Sequence, residues 1–240
     1  MMVVRSAKER SHQRRGRQEL WLTFDFDARA HADPLAQGYG SLQLLNESRL
    51  SPGGGSSTRH QRDAEIITYV LEGSVAYDDS LGRSGVLHAG EFRVMTARRG
   101  LRCTETNPSR TDRTQLFQLS VQSRGAGALP GHEQKRFSAA ERRGRLCIVA
   151  SPDARLGSLH LQEDALVYSA LIERGHHLVH DLAPGRSAWL HLVTGQVALG
   201  DALLVAGDGA GISRQRPVSF TAREETEILL VDVLERPALG

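Results

Sequence analysis

The sequence predicts an all-β protein made of two tandem copies of one small sandwich or barrel. Three observations carry that expectation. Short apolar runs separated by turn residues recur along most of the chain, helix signals are scarce, and one strand–turn–strand unit occurs twice in the same order. Many short strands at close spacing suit a sandwich or barrel, because each strand needs a neighbour to cover its apolar face.

The elements follow in chain order. Phe24-Asp25-Phe26-Asp27 alternates and predicts an edge strand or a link packing the domains together, with Asp25, Asp27 and Asp33 as a loose acidic group. Ser41-Leu42-Gln43-Leu44-Leu45 runs towards the turn Ser51-Pro52-Gly53-Gly54-Gly55. No Gly-Lys-Ser/Thr follows those glycines, so they make no phosphate loop. Glu65-Ile66-Ile67-Thr68-Tyr69-Val70-Leu71 is rich in β-branched residues, which fit a pleated surface, and stops at Glu72-Gly73. Ser74-Val75-Ala76-Tyr77 alternates and closes at Asp78-Asp79-Ser80-Leu81-Gly82. Gln115-Leu116-Phe117-Gln118-Leu119-Ser120-Val121 alternates too, the mark of a half-buried strand. Residues 123–131 are the linker candidate, and Ser138-Ala139-Ala140-Glu141 starts one short helix or turn. Strand-like runs resume at Leu146-Cys147-Ile148-Val149-Ala150 and continue to Leu229-Leu230-Val231-Asp232-Val233. Domains are expected at 1–125 and 146–240, joined by 126–145.

The repeat decides the architecture. Tyr69-Val70-Leu71-Glu72-Gly73-Ser74-Val75-Ala76 is echoed by Leu192-Val193-Thr194-Gly195-Gln196-Val197-Ala198, and Leu87-His88-Ala89-Gly90-Glu91 by Leu204-Val205-Ala206-Gly207-Asp208. In each half a strand enters a glycine turn, a second strand leaves it, and an Ala-Gly-acid turn follows. Glycine suits such turns because they often need positive φ.

Composition narrows the function classes. The chain has 240 residues, 40% of them apolar and 24% charged, with a net charge of +2. That near balance is no nucleic-acid footprint. The basic residues near the start, Arg5, Lys8, Arg10, Arg14, Arg15 and Arg17, are expected to form a solvated arm. No apolar run approaches a membrane span, and the first residues lack the apolar core of a signal peptide. Cys103 and Cys147 are the two cysteines, too few for a disulfide framework, so a cytoplasmic protein is expected.

The strand–turn–strand–turn pattern resembles the cupin family of small jelly-roll barrels. Arg62-Asp63-Ala64-Glu65-Ile66-Ile67-Thr68-Tyr69-Val70-Leu71-Glu72-Gly73 and Met95-Thr96-Ala97-Arg98-Arg99-Gly100 resemble the signature of pirin-like bicupins. The second half, with Ala150-Ser151-Pro152-Asp153 leading to Gly157-Ser158-Leu159, fits more loosely. The resemblance implies two tandem cupin domains, and one metal, usually iron, in the first barrel. Its family ligands are a His-x-His pair before the Arg-x-x-Glu strand and a His-x-Glu pair after the Thr-Ala-x-x-Gly turn. Residues two apart on a strand share a face, so two such pairs on neighbouring strands converge.

Here Arg59 and Gln61 stand where His-x-His belongs, and Cys103 and Glu105 where His-x-Glu belongs. Of the four, only Glu105 matches. Arg59 is a permanent cation with no lone pair to give, and Gln61 offers a weak carbonyl oxygen. The expectation is therefore an internal Arg59–Glu105 ion pair in place of iron, and no cofactor. The alternative is iron or another first-row metal held by His60, Cys103 and Glu105, which needs a bulge to turn His60 inward.

Other constellations are weighed against blander readings. Cys103 beside Arg102 is a candidate redox-sensing thiol, whereas Cys147 reads as core. His176, His177, His180 and His191 read as surface strand residues, since His176 and His177 face opposite ways and no acidic ligand follows at pair spacing. No nucleophile elbow is present. The expected function is a pirin-like small-ligand-binding or regulatory protein without dioxygenase activity, its pocket lined by Arg59, Gln61, Cys103 and Glu105. A metal-dependent quercetin 2,3-dioxygenase is the first alternative, and a sensor oxidised at Cys103 the second. The expected partner is an unidentified small molecule, with room for a protein partner but no nucleic acid or membrane.

Overall fold

The computed structural model describes residues 1–24, 33–56, 59–61, 63–97, 100–122, 131–213 and 217–235, with only the backbone described at 59–61. In chain order the strands are β1 (Met2–Arg5), β2 (Ser11–Arg15), β3 (Gln18–Leu22), β4 (Leu42–Leu50), β5 (Arg59–Gln61), β6 (Ala64–Glu72), β7 (Ser74–Asp79), β8 (Ser84–His88), β9 (Glu91–Ala97), β10 (Leu101–Thr106), β11 (Thr114–Gln122) and β12 (His132–Arg136). One helical turn, α1 (Ala139–Arg142), then leads into β13 (Cys147–Ser151), β14 (Leu159–His160), β15 (Ala165–Ile172), β16 (His177–His180) and β17 (Arg186–Thr194). The chain finishes with β18 (Gln196–Leu199), β19 (Ala202–Val205), β20 (Gly209–Ser213), β21 (Val218–Ala222) and β22 (Thr226–Leu234).

These strands form two barrels, each a seven-stranded sheet against a four-stranded one. The first uses the orders β12-β9-β6-β11-β4-β3-β2 and β5-β10-β7-β8; the second uses β1-β20-β17-β22-β15-β13-β14 and β16-β21-β18-β19. The repeat read from the sequence is the shared corner of the two barrels. Gly73 and Gly195 sit at φ +74° and +79°. A Cβ would lie 2.5 Å from the Arg113 carbonyl oxygen at the first and 2.4 Å from that of Glu225 at the second. A threonine closes each corner: Thr114 donates to the Ser74 carbonyl at 2.6 Å and Thr226 to that of Gln196 at 3.1 Å. The Ala-Gly-acid turns match as well, since Glu91 accepts the His88 N–H at 2.8 Å and Asp208 that of Val205 at 2.9 Å.

The two large sheets pack face to face. Tyr69, Phe92, Phe117 and Leu119 from one meet Trp189, Val193, Leu229 and Val231 from the other in a common core. The large sheets are therefore buried on both faces, one against the partner barrel and one inside their own. Glu65 helps lock the pair. Its Oε2 accepts the backbone N–H groups of Gln162 and Glu163 at 2.7 and 2.8 Å, and burial pushes its carboxyl above the usual carboxylate range.

Several expectations need correction. The first strand does not belong to the first domain: β1 pairs with β20 in the second barrel. The expected linker 126–145 contains β12, which extends the first barrel's sheet beside β9, and α1, capped by Ser138, whose Oγ accepts the Glu141 N–H. The basic segment is not wholly a solvated arm, because Arg10 is buried on Glu47 at 3.0 Å and Arg5 pairs with Asp33. Phe24 lies in the shared core with its ring edge against Trp189, while Asp25 and Asp27 lie outside the described residues. His180 and His191 are not surface residues. His180 is buried against Asp232 at 2.8 Å, and His191 is fully enclosed between the sheets. Among the described residues no helix is long and apolar enough to cross a membrane.

Candidate ligand pocket in the first barrel

Strand registers align the same positions in both barrels and show where they diverge. Across the first large sheet, Arg93 pairs with Thr68, Thr68 with Gln118 and Gln118 with Asn46, a row of four buried polar residues. The corresponding row in the second barrel is Ala210, Leu190, Leu230 and Tyr168. One barrel has a polar rung where the other packs mainly apolar side chains. At this level the polar groups belong to the first interior, where each needs a partner because buried polar groups are costly without one.

Glu105 reaches that rung from the small sheet. Its Oε1 accepts from Arg93 Nη2 at 2.7 Å and its Oε2 from Gln118 Nε2 at 2.8 Å, with Glu105 itself 4% exposed. Arg93 is fully buried and stacks on Tyr77, 4.1 Å from the ring centroid. Its Nε and Nη1 are enclosed without a hydrogen-bond partner among the described residues. Among the described side chains, the guanidinium on Glu105 is that of Arg93, which the sequence pattern does not single out; the expected partner, Arg59, has its side chain outside the described residues. Within the sequence, period-2 alternation puts Arg93 on the same face of its strand as Met95 without telling which face is inward.

The other predicted positions come together through the backbone. Strand β5 runs antiparallel to β10, with Arg59 opposite Cys103, His60 opposite Arg102 and Gln61 opposite Leu101. The side chains of Arg59, His60 and Gln61 lie outside the described residues. Cys103 shares the inward face of β10 with Glu105 and is buried. Burial, and then the Glu105 carboxylate, push its thiol up to about 11, overriding the opposing effect of Arg93. A thiol raised in this way carries less of the thiolate through which a redox sensor reacts. His132, on β12, faces Tyr77 with ring centroids 5.4 Å apart. Burial, then Arg93 and Arg83, hold its imidazole below the ordinary histidine range.

The described donors are already engaged. Both oxygens of Glu105 are engaged by protein donors, the Cys103 sulfur is a neutral thiol, and a guanidinium already supplies the positive charge. Among the described residues no cluster of three His, Cys, Asp or Glu side chains is placed to hold a metal.

Comparison with known proteins gives the family. Residues 5–121 match the family described as Pirin, and residues 148–233 match the quercetinase C-terminal cupin domain. The chain is 36% identical over 233 residues to a quercetin 2,3-dioxygenase of Escherichia coli K12, covering 97% of this chain and 99% of that protein. It belongs to the pirin family. A pirin-like protein of Caulobacter vibrioides is 32% identical over 210 residues, covering 86% of this chain and 89% of the other. Among solved structures, the bacterial pirin YhhW of E. coli superposes with a TM-score of 0.91 at 35% identity, covering 98% of this chain and 99% of that one. A second YhhW structure, a complex with nickel(II), gives 0.89 at 35% identity and covers 98% and 100%. Two tandem cupin domains of the pirin type therefore describe this chain.

Proposed function

We propose that this pirin-family bicupin binds a small polar or anionic molecule in its first barrel and carries out no metal-dependent dioxygenation. The observation that carries the reading is the engagement of both Glu105 oxygens, by Arg93 and Gln118. A carboxylate held in this way would have to give up two charge-assisted bonds before it could bind a cation. Arg59, opposite Cys103 in the β5–β10 register, would supply the positive charge at the pocket and a planar fork of donors for the ligand. The free Cys103 and Cys147 support a reducing, cytoplasmic setting, and the burial of Arg10 supports a role without nucleic acid.

A second reading, a quercetin 2,3-dioxygenase, is favoured by the name of the 36% identical E. coli relative and by the nickel(II) complex of YhhW. Metal analysis of tag-free protein after dialysis, run beside a quercetin turnover assay, separates the two. The first reading expects far less than one first-row ion per chain and no turnover above the uncatalysed rate. One tightly held ion per chain with turnover would replace it by the second.

A further inference from the structure

Away from the first barrel's interior, the domain junction holds a cleft of about 400 Å³, a size suited to a small organic ligand. Tyr69, Leu71, Arg136, Phe137, Arg142 and Leu171 are among its lining residues. The cleft abuts a second one, of about 310 Å³, with which it shares Leu171 and Glu227. Three parts of the chain meet there: Tyr69 from β6, Arg142 from α1 and Glu227 from β22.

The arginine at its base is held rigidly and only partly used. Arg142 is 6% exposed, and its Nη1 carries all of its hydrogen bonds, to Glu227 at 2.7 Å, Tyr69 at 3.1 Å and Ser169 at 3.2 Å. Its Nε is enclosed without a partner, whereas Nη2 is neither enclosed in that way nor bonded among the described residues. Tyr69 in turn donates to Glu227, and burial raises its phenol well above the ordinary range, so it remains a neutral donor. Glu227 neutralises Arg142. Arg136, exposed on the same cleft and opposite Glu91 in the β12–β9 register, has no direct ion pair among the described residues and adds a second guanidinium. Leu71, Phe137 and Leu171 supply the apolar part of the lining.

We propose that this cleft is a second binding site, for a small organic carboxylate with an apolar or aromatic body. The carboxylate bridges Arg142 Nη2 and the Arg136 guanidinium, and the body lies against Leu71, Phe137 and Leu171. The site is separate from the first-barrel pocket and stands whether or not that pocket takes a ligand.

Isothermal titration of the full chain with phenylacetate, and with phenylacetamide as its uncharged counterpart, tests the proposal. Phenylacetate is expected to bind one per chain, and the amide about tenfold or more weakly, because a charge-assisted contact is lost. Arg136→Gln is expected to weaken phenylacetate by a similar factor. Ala139→Trp, at an exposed helix position lining the cleft, is expected to fill the space and abolish binding. Both substitutions lie on the surface, so their melting temperatures should stay close to that of the unaltered protein and show that each variant folds. Absence of phenylacetate binding, equal binding of acid and amide, or full affinity in either folded variant would each overturn the proposal.

Discussion

Each oxygen of Glu105 is held by a different strand, Arg93 of β9 on one side and Gln118 of β11 on the other, and this sets what happens when one member is removed. Arg93→Leu leaves a buried carboxylate without its counter-charge and is expected to cost about 3–5 kcal/mol in urea unfolding. Arg93→Leu with Glu105→Leu should recover most of that loss, because the pair of charges is removed together. A single variant within about 1 kcal/mol of the parent would show that the pair does not govern this interior. At Cys103, the thiol pushed up to about 11 predicts alkylation at pH 7.5 slower than that of an exposed cysteine. Alkylation as fast as free cysteine would return the thiol to the list of reactive groups. His191 contributes to the pH dependence, in the same direction as His132. Burial, with Arg10 nearby, lowers its pKa well below the ordinary value, so the folded chain keeps it neutral while the unfolded chain protonates it near 6.5. The stability linked to His191 is fully present above about pH 6.5 and falls as the pH drops towards the lowered folded value. His191→Leu should flatten the stability curve between pH 7 and 5; an unchanged slope would assign the acid sensitivity elsewhere.

Among the elements, the two glycine corners tell how much the sequence reveals. Gly73 and Gly195 are recognisable because a turn with positive φ leaves a one-letter mark, and the Ala-Gly-acid turns repeat that mark further on. Gly195→Ala would bring its Cβ to 2.4 Å from the Glu225 oxygen while also straining the backbone. A loss of about 2 kcal/mol or more is expected in thermal or urea unfolding. The polar rung is far less legible. In β9, Phe92 and Val94 face the partner barrel while Arg93 and Met95 face inward, and all four are buried. Alternation identifies two faces, but it does not identify the solvated one when neither is solvated. The same effect misplaced His191, which sits between Leu190 and Leu192 in a strand covered on both sides. The pocket positions Cys103 and Glu105 could be located through the resemblance to the family's ligand pattern, whereas the cation on Glu105 comes from a strand that pattern does not include.

For the molecule as a whole, the shared core makes the barrels one cooperative unit. Trp189, Phe117, Tyr69 and Leu229 are each buried only because both large sheets are present, and each such side chain contributes roughly 1.5–3 kcal/mol by removal from water. Calorimetry is expected to show one transition in which both halves melt together. Two well-separated transitions would mean that the sheet-to-sheet contact contributes little. Glu65 adds a polar latch to that contact, since its loss would leave the Gln162 and Glu163 amides without their acceptor.

The pairing of β1 with β20 has a consequence for how the chain is made and handled. Met2 pairs with Ile212 and Arg5 with Gly209, so this seam of the second barrel closes only after β20 has been synthesised. Removing Met2–Arg5 would leave the β20 margin of the opposite barrel without its neighbour.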